Sequence, residues 1–324
     1  MKKVCLWAAI AAFATTSCSK MEVSDQINKL PLGYTADIGK QSRSGPVNGT
    51  TFPTDDANYY FSVLAFHKES GGLYDYGDRY ISDEPVNWNG TYWLNDNTQY
   101  WPLSGSLQFV AYAPYVAIQA PDYNATDGMI LPDFDSAPNV DLMYTDATSD
   151  LTSGTVPLTF KHALTQIYFT VATTTANVIF TIKRIDVQGP VGKGTFKSLP
   201  DPTWELSTEP TWSPMQYTPY NNNTGIDVLS TDVAPQAVGT TLMLIPQPVG
   251  AIDIVVTYDV TYTEITEGGN KKTDLTKTVT LSGADWAFNQ RIKYALVITD
   301  AGPNAITYEP TVSTWDAETT GTTN

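Results

Sequence analysis

Apolar residues recur at every second position along much of this chain, and no segment repeats them at the helical spacing of 3.6 residues. A period of two is typical of a β-strand with one face in a core. The 19 tyrosines, 8 tryptophans and frequent glycines and prolines fit this structure, because aromatic residues favour strands and Gly and Pro favour turns. We therefore predict an all-β protein. The longest alternating run consists of Ile252, Ile254, Val256, Tyr258, Val260 and Tyr262.

The first alternating strand lies near the start of the chain, within residues 30–38. Its apolar face consists of Leu30, Leu32, Tyr34, Ala36 and Ile38. A polar run over residues 40–46 follows it and contains a single arginine, Arg43. Such a composition predicts an exposed loop that a protease can cut. A strand joined to its domain by a cuttable loop can be removed, and its removal would leave an unfilled groove.

A similar strand closes the chain. Its alternating residues are Ile306, Tyr308, Pro310 and Val312. One removable strand at the front and one of the same type at the back suggest subunits that complete each other. The alternative is that the closing strand is a permanent last strand of its own domain.

The remaining strands predict two β-sandwich domains in series, over residues 30–175 and 176–324. Residues 157–171 are predicted to form one continuous strand. Its alternation of apolar residues shifts by one position part-way along, as a β-bulge would produce. Residues 200–223 contain five prolines and predict a long irregular loop. The alternating run that ends at Tyr262 is expected to form a hairpin with residues 277–281.

The first residues have the pattern of an export signal. Met1–Lys3 is basic, residues 4–15 are apolar but too short to span a bilayer, and Cys18 follows small residues. This resembles a bacterial lipoprotein signal over residues 1–17, with Cys18 lipidated and residues 18–29 as a flexible tether. The alternative is an ordinary signal peptide with an incidental cysteine. Cys5 lies in the leader, so the mature chain has no second cysteine for a disulfide.

The charge balance limits the partners. The chain carries 18 Lys and Arg against 34 Asp and Glu, a formal net charge of −16. Nucleic acids and anionic membrane surfaces both require a basic footprint, so neither is an expected partner. Membrane contact is expected only through the lipid anchor.

Few residues carry the chemistry of an active site. The only histidines are His67 and His162, and no Gly-x-Ser-x-Gly motif is present, which argues against nucleophilic catalysis. The adjacent acids Asp55–Asp56 and Asp83–Glu84 would point to opposite faces of a strand, unlike a glycosidase pair. Three further acids lie in one loop-rich region but lack the spacing of an EF-hand: Asp133, Asp135 and Asp141. We predict no catalytic residue, no metal and no cofactor.

Several short motifs, in order along the chain, resemble the fimbrillin family, the type V pilins of Bacteroidetes. They are YWP at 100–102, FVAYAPY at 109–115, DLMY at 141–144, LTFKHAL at 158–164, LMLIPQ at 242–247, YALVI at 294–298 and ITYEPTVSTW at 306–315. The resemblance implies two tandem transthyretin-like β-sandwiches in a subunit exported as an outer-membrane lipoprotein. It also implies assembly in which an arginine-specific surface protease releases the first strand and a terminal strand of the next subunit fills the groove.

On this sequence the resemblance places cleavage between Arg43 and Ser44, the departing strand at 30–38 and the donor at 305–315. The expected partners are other fimbrial subunits and the protease, and the expected location is the cell surface, in a fimbrium. Stalk, tip and anchor subunits of the family share the fold, and these roles stay open.

Two other functions stay open as well. The chain could act as a monomeric or tip lipoprotein that binds glycans or host ligands through exposed aromatic side chains. The tryptophans considered for this role are Trp88, Trp93, Trp204 and Trp212. The weaker alternative is a carbohydrate-active enzyme.

Overall fold

The computed structural model describes residues 30–38, 60–115, 118–212, 214–264, 270–299 and 306–314. Its first strands are β1 (Gly33–Ile38), β2 (Phe61–Lys68), β3 (Arg79–Trp88), β4 (Trp93–Asn95), β5 (Ser106–Ala113), β6 (Asp122–Asn124), β7 (Gly128–Asp135), β8 (Met143–Thr145), β9 (Thr148–Leu151) and β10 (Thr155–His162). The remainder are β11 (Thr165–Thr173), β12 (Val178–Gln188), β13 (Lys193–Lys197), β14 (Thr203–Leu206), β15 (Gln216–Val228), β16 (Gln236–Leu244), β17 (Asp253–Tyr262), β18 (Lys271–Thr280), β19 (Gln290–Ile298) and β20 (Ile306–Thr314).

The all-β prediction is confirmed. Within the described ranges helical structure is limited to 3-10 turns, such as Pro210–Trp212, and no helix there is long and apolar enough to cross a membrane. The predicted loop over residues 200–223 is wrong in part, because β14 and the beginning of β15 lie within it. Pro202 directly precedes β14, and Pro219 lies within β15, an edge strand in which a missing N–H is tolerated.

The first half of the chain forms a ring of strands. Its sheet has the order β2-β3-β4-β1-β10-β8-β5, and β5 pairs again with β2 along Ser62–Lys68. β9 pairs with β5 outside this ring. One buried cluster fills the interior and includes Tyr34, Phe61, Phe109 and Phe160. The predicted tandem arrangement of transthyretin-like sandwiches stays a prediction, since the pairings join this half into a single ring.

Strands β10 and β11 belong to different sheets, although only Ala163 and Leu164 separate them. β10 lies in the ring, whereas β11 pairs with β16 and β19 of the second half. The predicted continuous strand over residues 157–171 is therefore wrong. The buried residues change from even-numbered to odd-numbered positions because the chain passes from one core to another. Leu158 and Phe160 face the ring interior, whereas Ile167 and Phe169 face the second core.

The second half contains two four-stranded sheets, β16-β11-β19-β20 and β15-β12-β17-β18, around one large buried cluster. The predicted hairpin is confirmed, because β17 and β18 are antiparallel with Asp253 opposite Thr280. The predicted division at residue 175 falls after β11, whereas sheet pairing groups β11 with the strands that follow it.

A further sheet connects the two halves. Its order is β14-β13-β7-β6, so two strands come from each half of the chain. It contributes to a third buried cluster, in which Phe66 and Tyr112 of the ring meet Phe196, Met243 and other apolar residues. Because burial of apolar surface stabilises a contact, this cluster helps to hold the two halves together.

Candidate functional site

Strand β1 is an interior member of the ring, held on both sides. It runs parallel to β10, with Gly33 opposite Thr155 and Ile38 opposite Phe160. On its other side Tyr34 is the antiparallel partner of Trp93. Just before the strand, Leu32 N donates to Gln99 O at 2.8 Å and Trp101 N donates to Leu30 O at 2.9 Å. A strand of six residues near the chain start therefore closes the ring.

The side chains of β1 alternate between the core and solvent, as period two requires. Leu32, Tyr34, Ala36 and Ile38 are each at most 5% exposed, whereas Thr35 and Asp37 face outward. Leu30 differs from the predicted face, because it is 61% exposed and precedes the strand. Three side chains of the strand, together with that of Leu32 just before it, thus fill part of the ring interior.

Tyr34 makes the most specific contacts of this strand. Its ring meets Phe61 and Phe109 edge-on, at centroid distances of 6.4 and 6.3 Å. Its hydroxyl donates to Asn95 Oδ1 at 2.6 Å, and both residues are buried. Burial raises the pKa of Tyr34 well above its ordinary value, so the hydroxyl stays protonated. Asn95 was missed by sequence reasoning, since one polar residue in a polar stretch carries no signal.

An apolar cleft of about 450 Å³ opens beside the start of β1. Leu30, Tyr92, Leu94, Trp101 and Thr155 contribute to its walls. It therefore lies between β4 and β10, the two neighbours of β1.

The closing strand lies at the edge of its own sheet. β20 is antiparallel to β19, from Gln290 opposite Thr314 to Ile298 opposite Ile306. Ile306 is buried, Tyr308 is partly buried, and Pro310 and Val312 are exposed, Val312 by 47%. Proline is tolerated at an edge because its missing N–H need not join the ladder. β20 is therefore held by backbone pairing and few buried side chains.

The predicted processing positions lie outside the described residues: Cys18, Arg43 and Ser44. The other three arginines lie within paired strands, Arg184 and Arg291 with a partner on both sides and Arg79 with Phe66 of β2 on one side. Arg79 is in β3, Arg184 in β12 and Arg291 in β19. A protease needs an extended, unpaired segment, so none of these three is a good substrate in the folded chain.

The histidines and paired acids have separate structural partners. His162 Nδ1 lies 2.9 Å from Asp141 Oδ1, with both side chains buried beside the β10–β11 crossover. His67 contacts the backbone oxygen of Ser104 instead. Asp83 accepts hydrogen bonds from Ser62 and Tyr112, whereas Glu84 accepts one from Asn97. Asp55 and Asp56 lie outside the described residues.

The loop acids do not assemble into a metal site. Asp135 accepts a hydrogen bond from the backbone of Ala137, Asp141 pairs with His162, and Asp133 lies in β7 with a positive φ of 51°. Throughout the described part of the chain, no three His, Cys, Asp or Glu residues are placed to hold a metal ion.

The predicted set of exposed tryptophans is wrong for Trp93. That residue is only 4% exposed, because it packs against Phe61 inside the ring. Trp88 packs on the same core, and Trp204 donates its indole N–H to Ala163 O at 2.9 Å. The side chain of Trp212 lies outside the described set. Tyr92, which is 61% exposed, was not predicted.

Solved structures share this fold. A fimbrial protein from Bacteroides vulgatus is 19% identical, covers 89% of this chain and 100% of its own, and has a TM-score of 0.62. A candidate cell adhesion protein from Bacteroides uniformis is 12% identical, covers 89% of this chain and 98% of its own, and has a TM-score of 0.54. No curated protein sequence matches the chain significantly.

The family assignment comes from the sequence as a whole. The model of the Fimbrillin-like family matches residues 13–315, which include the ring, the connecting sheet and the second pair of sheets. This chain belongs to the Fimbrillin-like family.

Proposed function

We propose that this protein is a structural or adhesive subunit of a surface fimbrium, assembled by exchange of β1 for the closing strand of another copy. In this proposal it is exported as an outer-membrane lipoprotein through Cys18, and an arginine-specific protease cuts between Arg43 and Ser44. Membership of the Fimbrillin-like family supports the fimbrial role.

One observation carries the exchange step: β1 is a short interior strand whose loss opens the ring, whereas β20 is an edge strand. Burial of each large apolar side chain of β1 contributes about 1.5–3 kcal/mol. Ordering each backbone residue costs about 1–2 kcal/mol. The two terms nearly cancel for a six-residue strand, so β1 is replaceable once its covalent connection is cut. A donor strand that is tethered to a folded subunit then competes with the cut β1 for the groove at a high effective concentration.

The two strands also match in pattern. If the donor takes the place and direction of β1, the tyrosines align, with Tyr308 in the position of Tyr34. Ile306 then replaces Leu32, Pro310 replaces Ala36, and Val312 replaces Ile38 in the pattern of the sequence. Tyr308 would present its hydroxyl to Asn95, as Tyr34 does. The departure of this edge strand breaks strand pairing with β19 and the hydrogen bonds between the Tyr308 hydroxyl and Ser282.

The cut has a second consequence in this proposal. β1 lies on the same segment as the predicted lipid anchor, so cleavage at Arg43 would free the folded subunit from the membrane and open the groove together. A subunit that is not cut would stay attached as an anchor.

The test is a disulfide that locks β20 onto β19. Thr311 and Lys293 are directly opposite in the two strands, and Cα atoms at such positions are close enough for a disulfide. The chain with Thr311→Cys and Lys293→Cys, oxidised and then treated with the protease, is expected to remain monomeric. Reduction should restore assembly into filaments whose first residue is Ser44. Filament growth by the oxidised variant would contradict the proposal, and each single variant serves as the control.

A further inference from the structure

The strand pairings determine how this subunit would carry tension. Strand β10 is the parallel neighbour of β1, and after Ala163 and Leu164 the same chain continues as β11. Strand β11 is in turn the parallel neighbour of β19, with Gln166 opposite Arg291 and Thr173 opposite Ile298. The segment 155–173 therefore links the groove of β1 to the strand that precedes β20. We propose that this segment, here called the spine, carries tension through the subunit, and that both of its parallel pairings resist that tension in shear.

This inference rests on the proposed function, in which a donor takes the place and direction of β1. The donor is tethered to its own subunit ahead of Ile306, so tension pulls it at its N-terminal end. Within the acceptor, β10 is held at its C-terminal end, where it continues into β11. Two parallel strands pulled from opposite ends slide past each other, and their backbone hydrogen bonds break together rather than in turn.

The second pairing is loaded in the same way. The spine pulls β11 at its N-terminal end, at Thr165. The acceptor's own donor strand pulls β19 at its C-terminal end, at Ile298, because β20 follows β19 in the chain. These strands are also parallel, so their eight Cα pairs from Gln166 to Thr173 share the load.

The crossover between the two strands is fixed on several sides. Ala163 and Leu164 are fully buried. Trp204 donates to Ala163 O at 2.9 Å, and Thr165 Oγ1 donates to Ala287 O at 2.7 Å. The buried pair of His162 and Asp141 adds a contact on the β10 side. Tension therefore passes from one half to the other through a packed junction.

The closing strand behaves differently in its own subunit. β20 is antiparallel to β19, and the pair Gln290–Thr314 lies at the open end. Pulling on the C-terminal end of β20 breaks one pair after another from that end, which requires less force. The same strand is thus easy to peel from its own sheet and hard to pull from the groove of a second copy.

Single-molecule pulling on the monomer tests this inference without any assembly. The two handles are attached to cysteines in a chain that also carries Cys5→Ser and Cys18→Ser, which removes both natural cysteines. One handle is at Thr174→Cys, an exposed position just after β11. The other is at Leu30→Cys, ahead of β1, or in the matched variant at Asp37→Cys, near its end. Both positions are exposed.

With Leu30→Cys the pairing of β1 and β10 is loaded in shear, whereas with Asp37→Cys the same pairing is opened from one end. We expect the first rupture force to be about threefold higher with Leu30→Cys, because six backbone pairs resist together. Equal rupture forces in the two geometries would overturn the inference. The proposed function fails by a separate result, the absence of filaments in assembly assays, which leaves the ratio of forces unaffected.

Discussion

The hydroxyl of Tyr34 donates a hydrogen bond of 2.6 Å to Asn95 Oδ1, inside a ring that β1 completes. The bond joins the strand proposed to leave to the strand β4 that would remain. It identifies the position that a replacement strand must fill with a residue of similar shape and polarity. In the closing strand, Tyr308 is the residue of that type.

Loss of this hydroxyl is expected to destabilise the uncut chain. Tyr34→Phe removes the donor and leaves the buried Asn95 oxygen without it, which should lower the free energy of unfolding by about 1–3 kcal/mol. Urea denaturation measures the change. Tyr92→Phe is the matched control, since Tyr92 is 61% exposed and a surface substitution should change stability by at most about 0.5 kcal/mol. Equal effects of the two variants would show that the bond contributes no stability.

The same tyrosine predicts a dependence on alkaline pH. Burial raises its pKa in the folded chain above the unfolded value of about 10, so its stabilising effect is complete below that pH. The effect is lost as the pH rises from about 10 toward the folded pKa, at up to about 1.4 kcal/mol per pH unit. We expect the stability advantage of the wild type over Tyr34→Phe to shrink between pH 8 and pH 11. The difference in unfolding free energy between the two proteins cancels the contributions of the other tyrosines. A difference that stays constant with pH would contradict the raised pKa of Tyr34.

Arginine-specific proteolysis of the folded chain is expected to give one cut. Arg184 and Arg291 are paired on both sides, and Arg79 pairs with Phe66 of β2 while its Nη2 donates to Pro121 O at 3.1 Å. Mass spectrometry should therefore find a new terminus at Ser44 alone. Arg43→Ala should abolish the cut, whereas Arg79→Ala should leave it unchanged. Early fragments that begin at Tyr80, Ile185 or Ile292 would refute this expectation.

Sequence alternation predicted much of the fold, because a strand with one buried face must place apolar residues at every second position. It identified the buried positions from Leu32 to Ile38, in and just before β1, and the hairpin of β17 and β18. It failed for Leu30, since alternation that continues past the end of a strand looks the same in sequence.

Alternation does not reveal which strands are neighbours. The parallel pairing of β1 with β10 joins residues more than a hundred positions apart, and no local pattern encodes it. The phase slip between Phe160 and Ile167 was visible, but a bulge and a change of sheet produce the same slip. The position of Asn95 beside Tyr34 follows from the tertiary pairing of β1 with β4.

The most direct test of strand exchange is a disulfide between two copies. If Tyr308 takes the place of Tyr34, then Thr311 of the donor takes the place of Asp37, which lies opposite Thr159 in β10. In the cut chain with Thr311→Cys and Thr159→Cys, mild oxidation should give a ladder of disulfide-linked multimers. A reductant should convert these multimers back to single chains. Chains with only one of the two cysteines should give at most dimers. One contradicting result is a doubly substituted chain that assembles but forms no ladder; another is a chain that stays monomeric under the same oxidation. Either result would show that the closing strand does not occupy the groove of β1 in the proposed register.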